Sequence, residues 1–246
     1  AWCDRADLRC ATVRLAGRCG RATQADQKSP KATWAFALGT AERQQTVTAV
    51  HLDLQCGDTP DGSVCVYSDS DLAGDKSDMR SVSGTVVWVK WGGWMAVSQS
   101  SRKQSTVSLS SGESELVALV EGASWGLGCW AQWTWLTGVE QRTTRLILGT
   151  DSTAAQGIAH RRGSSRRTRH LEIRAFWVQE LIRREGVVLV KVPTGVMWAD
   201  VMTKVRPDWT DRHLGYVGLG DATGRPMGGY QGRAQVALVT ECGTRK

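Results

Sequence analysis

The sequence predicts an α/β fold built on a mixed five-stranded sheet with helices on both faces. Three short apolar segments rich in β-branched residues come first, and alternating helical and strand-like segments follow them. The predicted order of elements is therefore β-β-β-α-β-α-α-β-α. Strands joined by short turns favour antiparallel pairing, and strands separated by helices favour parallel pairing, so both kinds are expected in one sheet.

The first three strands are predicted from apolar runs bounded by turn residues. These runs are Val64–Tyr67, Ser81–Val89 and Trp94–Ser98. Gly92 and Gly93 separate the second run from the third, which indicates a hairpin. A further short extended piece is expected over Thr106–Leu109.

A long helix is predicted to begin after Ser110, because Ser110 and Glu113 have the spacing of a capping box. Thr137 and Gly138 are expected to end it. The later elements are a strand over Arg145–Leu148, helices over Ser152–Ala159 and Leu171–Arg184, a strand over Val187–Val192 and a last helix over Met197–Lys204.

The chain divides into three predicted parts. Residues 1–60 form a poorly defined N-terminal segment, in which the alternating run Thr46–Leu54 favours one strand. A loop rich in Gly, Asp and Pro over Gly57–Gly62 marks the boundary. Residues 61–204 are expected to form the α/β domain, and residues 205–246 a C-terminal tail.

The composition is that of a soluble globular protein, with 41% apolar and 22% charged residues. A net charge of +7 weakly favours a polyanionic partner. The seven cysteines include no C-x-x-C pair, which argues against a zinc site or a disulfide framework and favours a reducing compartment. The N-terminus lacks the apolar stretch of a signal peptide, and a start at Ala1 indicates a fragment or a processed chain.

Four acidic residues in four separate contexts are predicted to form one metal site. They are Asp69 in V-Y-S-D-S-D-L-A-G-D, Glu115 in L-S-S-G-E-S-E-L-V-A-L, Asp151 in I-L-G-T-D-S-T-A-A and Asp200 in M-W-A-D-V-M-T-K. Four clustered carboxylates repel one another and persist when cations neutralise them. Hard oxygen ligands suit two Mg²⁺ ions, or Mn²⁺, and such paired ions commonly serve to break phosphodiester bonds.

Each of these acids also has a local structural explanation. Asp69 could be a turn or strand-end carboxylate, Asp151 a helix N-cap, and Asp200 an exposed acid favoured by a helix dipole. Glu113 competes with Glu115 but already has a role in the capping box. Further acids near the first site, expected mostly in loops, are Asp71, Asp75 and Asp78.

A basic connector is a candidate surface for nucleic acid. It contains Arg161, Arg162, Arg166, Arg167, Arg169 and His170. A solvated charge run and a set of phosphate contacts are equally good interpretations of the arginines. For His170, a core or capping role is favoured over proton transfer.

Several motifs in one order resemble the ribonuclease H region of copia-type (Pseudoviridae) LTR retrotransposon Pol polyproteins. They are Y-S-D-S-D-L-A-G-D (67–75), S-V-S-G (81–84), S-R-K-Q-S-T-V-S-L-S-S-G-E-S-E-L-V-A (101–118), D-S-T-A-A (151–155), R-T-R-H-L-E-I-R (167–174) and V-P-T-G-V-M-W-A-D-V-M-T-K (192–204). The resemblance covers about residues 64 to 219. Several independent motifs in a fixed order are far more specific than any one of them.

The resemblance implies a ribonuclease H-like fold and a two-metal endonuclease that cuts the RNA strand of RNA–DNA hybrids. It implies Asp69, Glu115, Asp151 and Asp200 as ligands and catalytic residues, and it gives His170 some functional weight. Beside a nuclease site, the basic connector is a candidate for phosphate contacts. The resemblance also implies a reverse transcriptase partner, residues 1–60 as a remnant of the preceding region, and a location in cytoplasmic virus-like particles or the nucleus. Two alternatives stay open: an inactive or co-opted copy that binds nucleic acid, and a DNA-cutting or strand-transferring enzyme of the same broad fold.

Overall fold

The structure is a computed structural model that describes residues 5–16, 28–41, 44–45, 49–52, 54, 58–76, 78–163, 171–205 and 211–221. Its strands are β1 (Gln44–Gln45), β2 (Ala49–Val50), β3 (Val64–Asp75), β4 (Arg80–Trp91), β5 (Gly93–Lys103), β6 (Leu146–Thr150), β7 (Val187–Lys191) and β8 (Leu219–Gly220). Its helices are α1 (Ala6–Ala16), α2 (Lys28–Gly39), α3 (Ser111–Thr137), α4 (Thr153–His160), α5 (Glu172–Leu181), α6 (Asp200–Thr203) and α7 (Asp211–Tyr216). Over these ranges, every helix is too short or too polar to cross a membrane.

The central sheet has the order β2-β5-β4-β3-β6-β7. Strands β3, β4 and β5 pair antiparallel, whereas β6 pairs parallel with both β3 and β7. The predicted ribonuclease H-like α/β fold with a mixed sheet is therefore confirmed. The sheet has six strands instead of five because β2, which lies within the alternating run Thr46–Leu54, adds to the free edge of β5.

Strand β3 is longer than the predicted Val64–Tyr67 and continues to Asp75. Its extension is polar in sequence, but Ser68, Asp69 and Ser70 are all buried against β4, so the strand persists without an apolar pattern. Asp69 consequently lies within the strand and not at its end. The piece Thr106–Leu109 forms no strand, since β5 ends at Lys103 and Leu109 is exposed.

Two apolar cores lie on opposite faces of the sheet, and alternate residues of each strand point into one or the other. Cys65 and Tyr67 face a core that includes residues of α1, α6 and α7. Val64 and Val66 face the second core, which contains residues of α3, α4 and α5. Helices on both faces, as predicted, therefore bury the middle of the sheet.

Helix α3 begins where the capping box predicts. The hydroxyl of Ser110 accepts a hydrogen bond from the Glu113 amide at 3.3 Å. Glu113 Oε2 reaches one residue further back than the capping box implies and accepts from the amide of Leu109 at 2.6 Å. A Cβ at Gly126 would lie 2.6 Å from Val66, so this glycine allows α3 to approach the sheet closely.

The two ends of the described chain pack against the sheet. Ala6 of α1 and Leu214 of α7 are fully buried in the same core. The indole of Trp88 donates to the carbonyl of Tyr216 at 2.8 Å, and the side-chain amide of Gln99 donates to the carbonyl of Val217 at 2.7 Å. The division at residues 60 and 204 stays a prediction, but both flanking segments contribute buried side chains.

The last predicted helix, Met197–Lys204, is shorter than expected, because only Asp200–Thr203 is helical. A 3-10 turn occupies Thr194–Val196 and α6 is a four-residue helix. Cys10, Cys65 and Cys129 form no disulfide, and the other four cysteines lie outside the described residues.

Candidate active site

Three of the four predicted carboxylates meet at one edge of the sheet. Asp69, Glu115 and Asp151, here called the carboxylate triad, each offer one oxygen, and these oxygens lie within 4.8 Å of one another. Tyr67 and Gly149 are register partners in the parallel pair of β3 and β6. Asp69 and Asp151 each follow that pair by two residues, so the parallel register places both at the same edge.

Burial and mutual repulsion raise the pKa values of two triad carboxyls. Asp69 is 3% exposed and Glu115 is 9% exposed. Burial and the charge of Asp200 raise the pKa of Asp69 to about 7. Burial and the charges of Asp69 and Asp151 raise the pKa of Glu115 to about 8, against a hydrogen bond from Ser70 that lowers it.

These residues fit a hard divalent cation. Glu115 Oε2 is buried and has no hydrogen-bond partner in the protein, which leaves a carboxylate oxygen without compensation. The donors are all carboxylate oxygens, the ligand type that Mg²⁺ and Mn²⁺ prefer. A cation at the triad would relieve both the mutual repulsion and the unpaired oxygen.

Asp151 is held by its neighbours and does not cap α4. The cap is Ser152, whose hydroxyl accepts from the amide of Ala155 at 3.1 Å. Asp151 Oδ2 instead accepts from the Thr194 hydroxyl at 3.0 Å. The Lys191 ammonium donates to the backbone carbonyl of Asp151. The N-cap interpretation of Asp151 is thus wrong, and its carboxylate lies with those of Asp69 and Glu115.

Asp200 neighbours the triad but is neutralised by a lysine. Lys204 Nζ lies 2.6 Å from Asp200 Oδ1 and 3.9 Å from Asp69 Oδ2. Burial disfavours the ammonium form of Lys204, but the hydrogen bond to Asp200 and the charges of Asp69 and Asp200 outweigh it and raise the pKa of Lys204. The fourth carboxylate therefore approaches Asp69 together with its own cation.

A buried threonine also contacts the triad. Thr203 is fully buried, and its hydroxyl donates to Asp69 Oδ2. No sequence pattern predicted a role for Thr203 or Lys204. Both residues belong to the motif at residues 192–204, which ends in T-K. A contact between a threonine or lysine and a distant acid leaves no local sequence pattern from which it could be predicted.

The basic connector is only partly described. Arg161 and Arg162 are exposed and directly follow α4, and Arg183 donates to the carbonyl of Arg161 at 3.2 Å. The remaining predicted contacts lie outside the described residues. They are Arg166, Arg167, Arg169 and His170.

No protein-family model matches the chain, but a curated protein is similar to it. The relative is the retrovirus-related Pol polyprotein from transposon TNT 1-94 of Nicotiana tabacum, 29% identical over 147 residues. The match covers 57% of this chain and 10% of the relative, so the chain spans about a tenth of that polyprotein. The resemblance to a copia-type Pol polyprotein that the motifs indicated is confirmed.

Two solved structures are similar over a little more than half of the chain. LC11-RNase H1, isolated from compost by a metagenomic approach, is 16% identical with a TM-score of 0.42, covering 57% of this chain and 92% of that one. The foamy viral protease-reverse transcriptase in complex with dsDNA is 15% identical with a TM-score of 0.37, covering 57% and 91%.

Proposed function

We propose that this chain is a metal-dependent endonuclease that cuts the RNA strand of RNA–DNA hybrids. The observation that carries the proposal is the carboxylate triad, in which Asp69, Glu115 and Asp151 bring their oxygens within 4.8 Å of one another at the edge of the sheet. Buried carboxylates without sufficient hydrogen bonds form a stable site when a divalent ion is shared between them. The similarity to a Pol polyprotein supports a nuclease that acts on nucleic acid during reverse transcription.

Two Mg²⁺ ions, or Mn²⁺, held by Asp69, Glu115, Asp151 and Asp200, would supply activation of the attacking water and stabilisation of the leaving 3′ oxygen. The residues of the chain prepare this site by fixing the carboxylates. Thr203 holds Asp69 through one oxygen, and Thr194 holds Asp151 through one oxygen. Orienting partners of this kind keep ligands in place and tune their basicity.

Lys204 has a separate task in the proposed site. Its ammonium balances Asp200 while four carboxylates are close together, which lowers the repulsion that the fold must sustain. It also adds positive charge at the edge where a phosphate would approach, which favours the transition state of phosphodiester cleavage.

The proposed substrate is an RNA–DNA hybrid, as the resemblance to ribonuclease H regions implies, and 2′-hydroxyl groups would distinguish the RNA strand from the DNA strand. The products would carry 3′-hydroxyl and 5′-phosphate ends. The basic connector, with Arg161 and Arg162 exposed beside α4, would contact phosphates. The setting we propose is removal of template RNA alongside a reverse transcriptase domain.

The decisive experiment compares cleavage of a hybrid, duplex DNA and duplex RNA by the full chain with increasing Mg²⁺. We expect Mg²⁺-dependent cleavage of the RNA strand of the hybrid and no cleavage of duplex DNA. Asp151→Asn should abolish it, whereas Asp58→Asn, at an exposed loop acid, serves as the matched control. Hybrid binding without cleavage at any Mg²⁺ concentration would identify an inactive binding copy, and cleavage of duplex DNA a DNA-cutting enzyme.

A further inference from the structure

Helix α1, which lies in the predicted N-terminal segment, places an arginine beside the active-site elements. Arg14 Nη2 donates to Asp71 Oδ2 at 2.6 Å and to the backbone carbonyl of Thr203 at 3.1 Å. The side chain of Arg14 is 30% exposed and that of Asp71 is 12% exposed. One guanidinium nitrogen thus joins β3 to the C-terminal end of α6.

The residues that surround the Arg14 guanidinium on β3 belong to the same motif as Asp69. Asp71 Oδ1 accepts from the amide of Val82 on β4, which fixes the carboxylate, and its other oxygen faces Arg14. A Cβ at Gly74 would lie 1.8 Å from Asp71 Oδ2 and 2.9 Å from Arg14 Nη2. The second aspartate and the glycine of Y-S-D-S-D-L-A-G-D therefore leave the space that the arginine needs.

Thr203 connects this contact to the carboxylate triad. Its carbonyl accepts from Arg14, and its hydroxyl donates to Asp69. Helix α6 has only four residues, and the last carbonyls of a helix lack partners within it. A cationic donor at such an end satisfies a carbonyl and complements the helix dipole.

We propose that Arg14 is a positioning residue for the active site. It fixes the end of α6 so that the hydroxyl of Thr203 stays on Asp69 and the ammonium of Lys204 stays on Asp200. Helix α1 would therefore contribute to activity by positioning α6. The kinetic consequence rests on the proposed function, whereas the fixing of α6 does not.

The test compares Arg14→Gln, Arg14→Lys and Arg5→Gln in the full chain. Arg5 is the matched control, because it directly precedes α1 and donates to Asp7 of that helix and to the Thr40 carbonyl, bonds that involve neither Asp71 nor Thr203. Two readouts are needed: amide hydrogen exchange over residues 200–204 without metal, and steady-state cleavage of a hybrid with Mn²⁺. Asp71→Asn weakens the same contact by removing the charge that faces Arg14. This variant replaces Arg14→Gln in the test if Arg14→Gln does not fold.

We expect Arg14→Gln to speed exchange over residues 200–204 and to lower kcat on the order of ten- to a hundredfold with little change in KM. Lysine should restore most of both, since its ammonium can bond two oxygens. Wild-type exchange in Arg14→Gln overturns the proposal, as does an equal effect of Arg5→Gln. A wild-type chain that cuts nothing, with α6 loosened in Arg14→Gln, would refute the proposed function and leave the positioning contact standing.

Discussion

Asp69 lies directly opposite Gly84 in the antiparallel pairing of β3 with β4. A Cβ at Gly84 would lie 2.6 Å from the Thr203 methyl group, 2.7 Å from Met202 and 2.8 Å from the carbonyl of Ala199. Because Gly84 has no side chain, α6 can pack closely against the sheet beside Asp69. The glycine of the S-V-S-G motif sets the distance between Thr203 and the carboxylate that it contacts.

Gly84→Ala should destabilise the protein by about 1–3 kcal/mol, because the added methyl group overpacks the contact with α6. Cleavage of a hybrid should fall more than this loss of stability explains, since α6 must move away from Asp69. Urea denaturation gives the free energy of unfolding, and a cleavage assay at a temperature where the variant is folded gives the activity.

Gly128→Ala is the matched control for this substitution. Gly128 lies in α3 with no heavy atom within 4 Å of an added Cβ, so alanine should stabilise the helix by about 0.5–1 kcal/mol. Its activity should equal that of the wild type. Full activity and stability in Gly84→Ala would show that the approach of α6 to the sheet is wrong.

Glu115→Gln should abolish cleavage, whereas Glu113→Gln should retain it. Glu115 contributes an oxygen to the triad, and its charge is needed for a cation. Glu113 instead accepts a hydrogen bond from the Leu109 amide, which a glutamine carbonyl can also accept. Single-turnover cleavage of a hybrid separates the two, and loss of activity in Glu113→Gln would place the ligand two residues earlier.

Without metal, the protein should lose stability as the pH rises from about 5 to about 8. The pKa of Asp69 is raised to about 7 and that of Glu115 to about 8, so the folded state keeps protons that the unfolded state has already released. Stability therefore falls across this window, by up to about 1.4 kcal/mol for each pH unit by which a pKa is raised. Each kcal/mol lost should lower Tm by about 2–4 °C.

Adding Mg²⁺ should reverse the loss of stability at high pH, because a cation binds the ionised triad and stabilises the folded state. Thermal unfolding in EDTA and in Mg²⁺ should give similar Tm values near pH 5 and a higher Tm with Mg²⁺ near pH 8. Glu115→Gln should flatten the pH dependence in EDTA. A Tm in EDTA that rises with pH would contradict the raised pKa values.

Local patterns were sufficient for much of this fold and for part of the site. The capping box located the start of α3, and apolar runs located the five main strands. The contexts of Asp69, Glu115 and Asp151 pointed to three side chains that the structure brings together. These features depend on neighbouring residues, which a sequence displays directly.

Long-range contacts account for what sequence analysis missed. Arg14 and Thr203 are 189 residues apart, and Thr203 and Asp69 are 134 residues apart, so no local pattern relates them. The extension of β3 was missed for another reason. Ser68 and Ser70 are buried polar residues, and a strand with a polar end lacks the apolar signature from which strands are predicted.

The basic connector gives the last prediction. Replacing Arg161, Arg162, Arg166 and Arg167 by alanine should weaken hybrid binding and reduce its dependence on salt. Removal of each arginine that binds a phosphate should lower the magnitude of the log–log salt slope by about 0.7–0.9, with little change in the metal requirement. Hybrid affinity measured over a series of salt concentrations by fluorescence anisotropy gives the slope.

A double replacement of Arg142 and Arg184 by alanine is the control for the connector. Both side chains are exposed, and they precede β6 and β7 at the sheet edge opposite the one that carries Asp151. Removing them changes the net charge without touching the proposed phosphate path, so the slope should change less for each arginine removed. An equal change in salt slope per arginine in the two variants would mean that the connector acts through overall charge. An unchanged slope in the quadruple variant would mean that these arginines only solvate a surface loop.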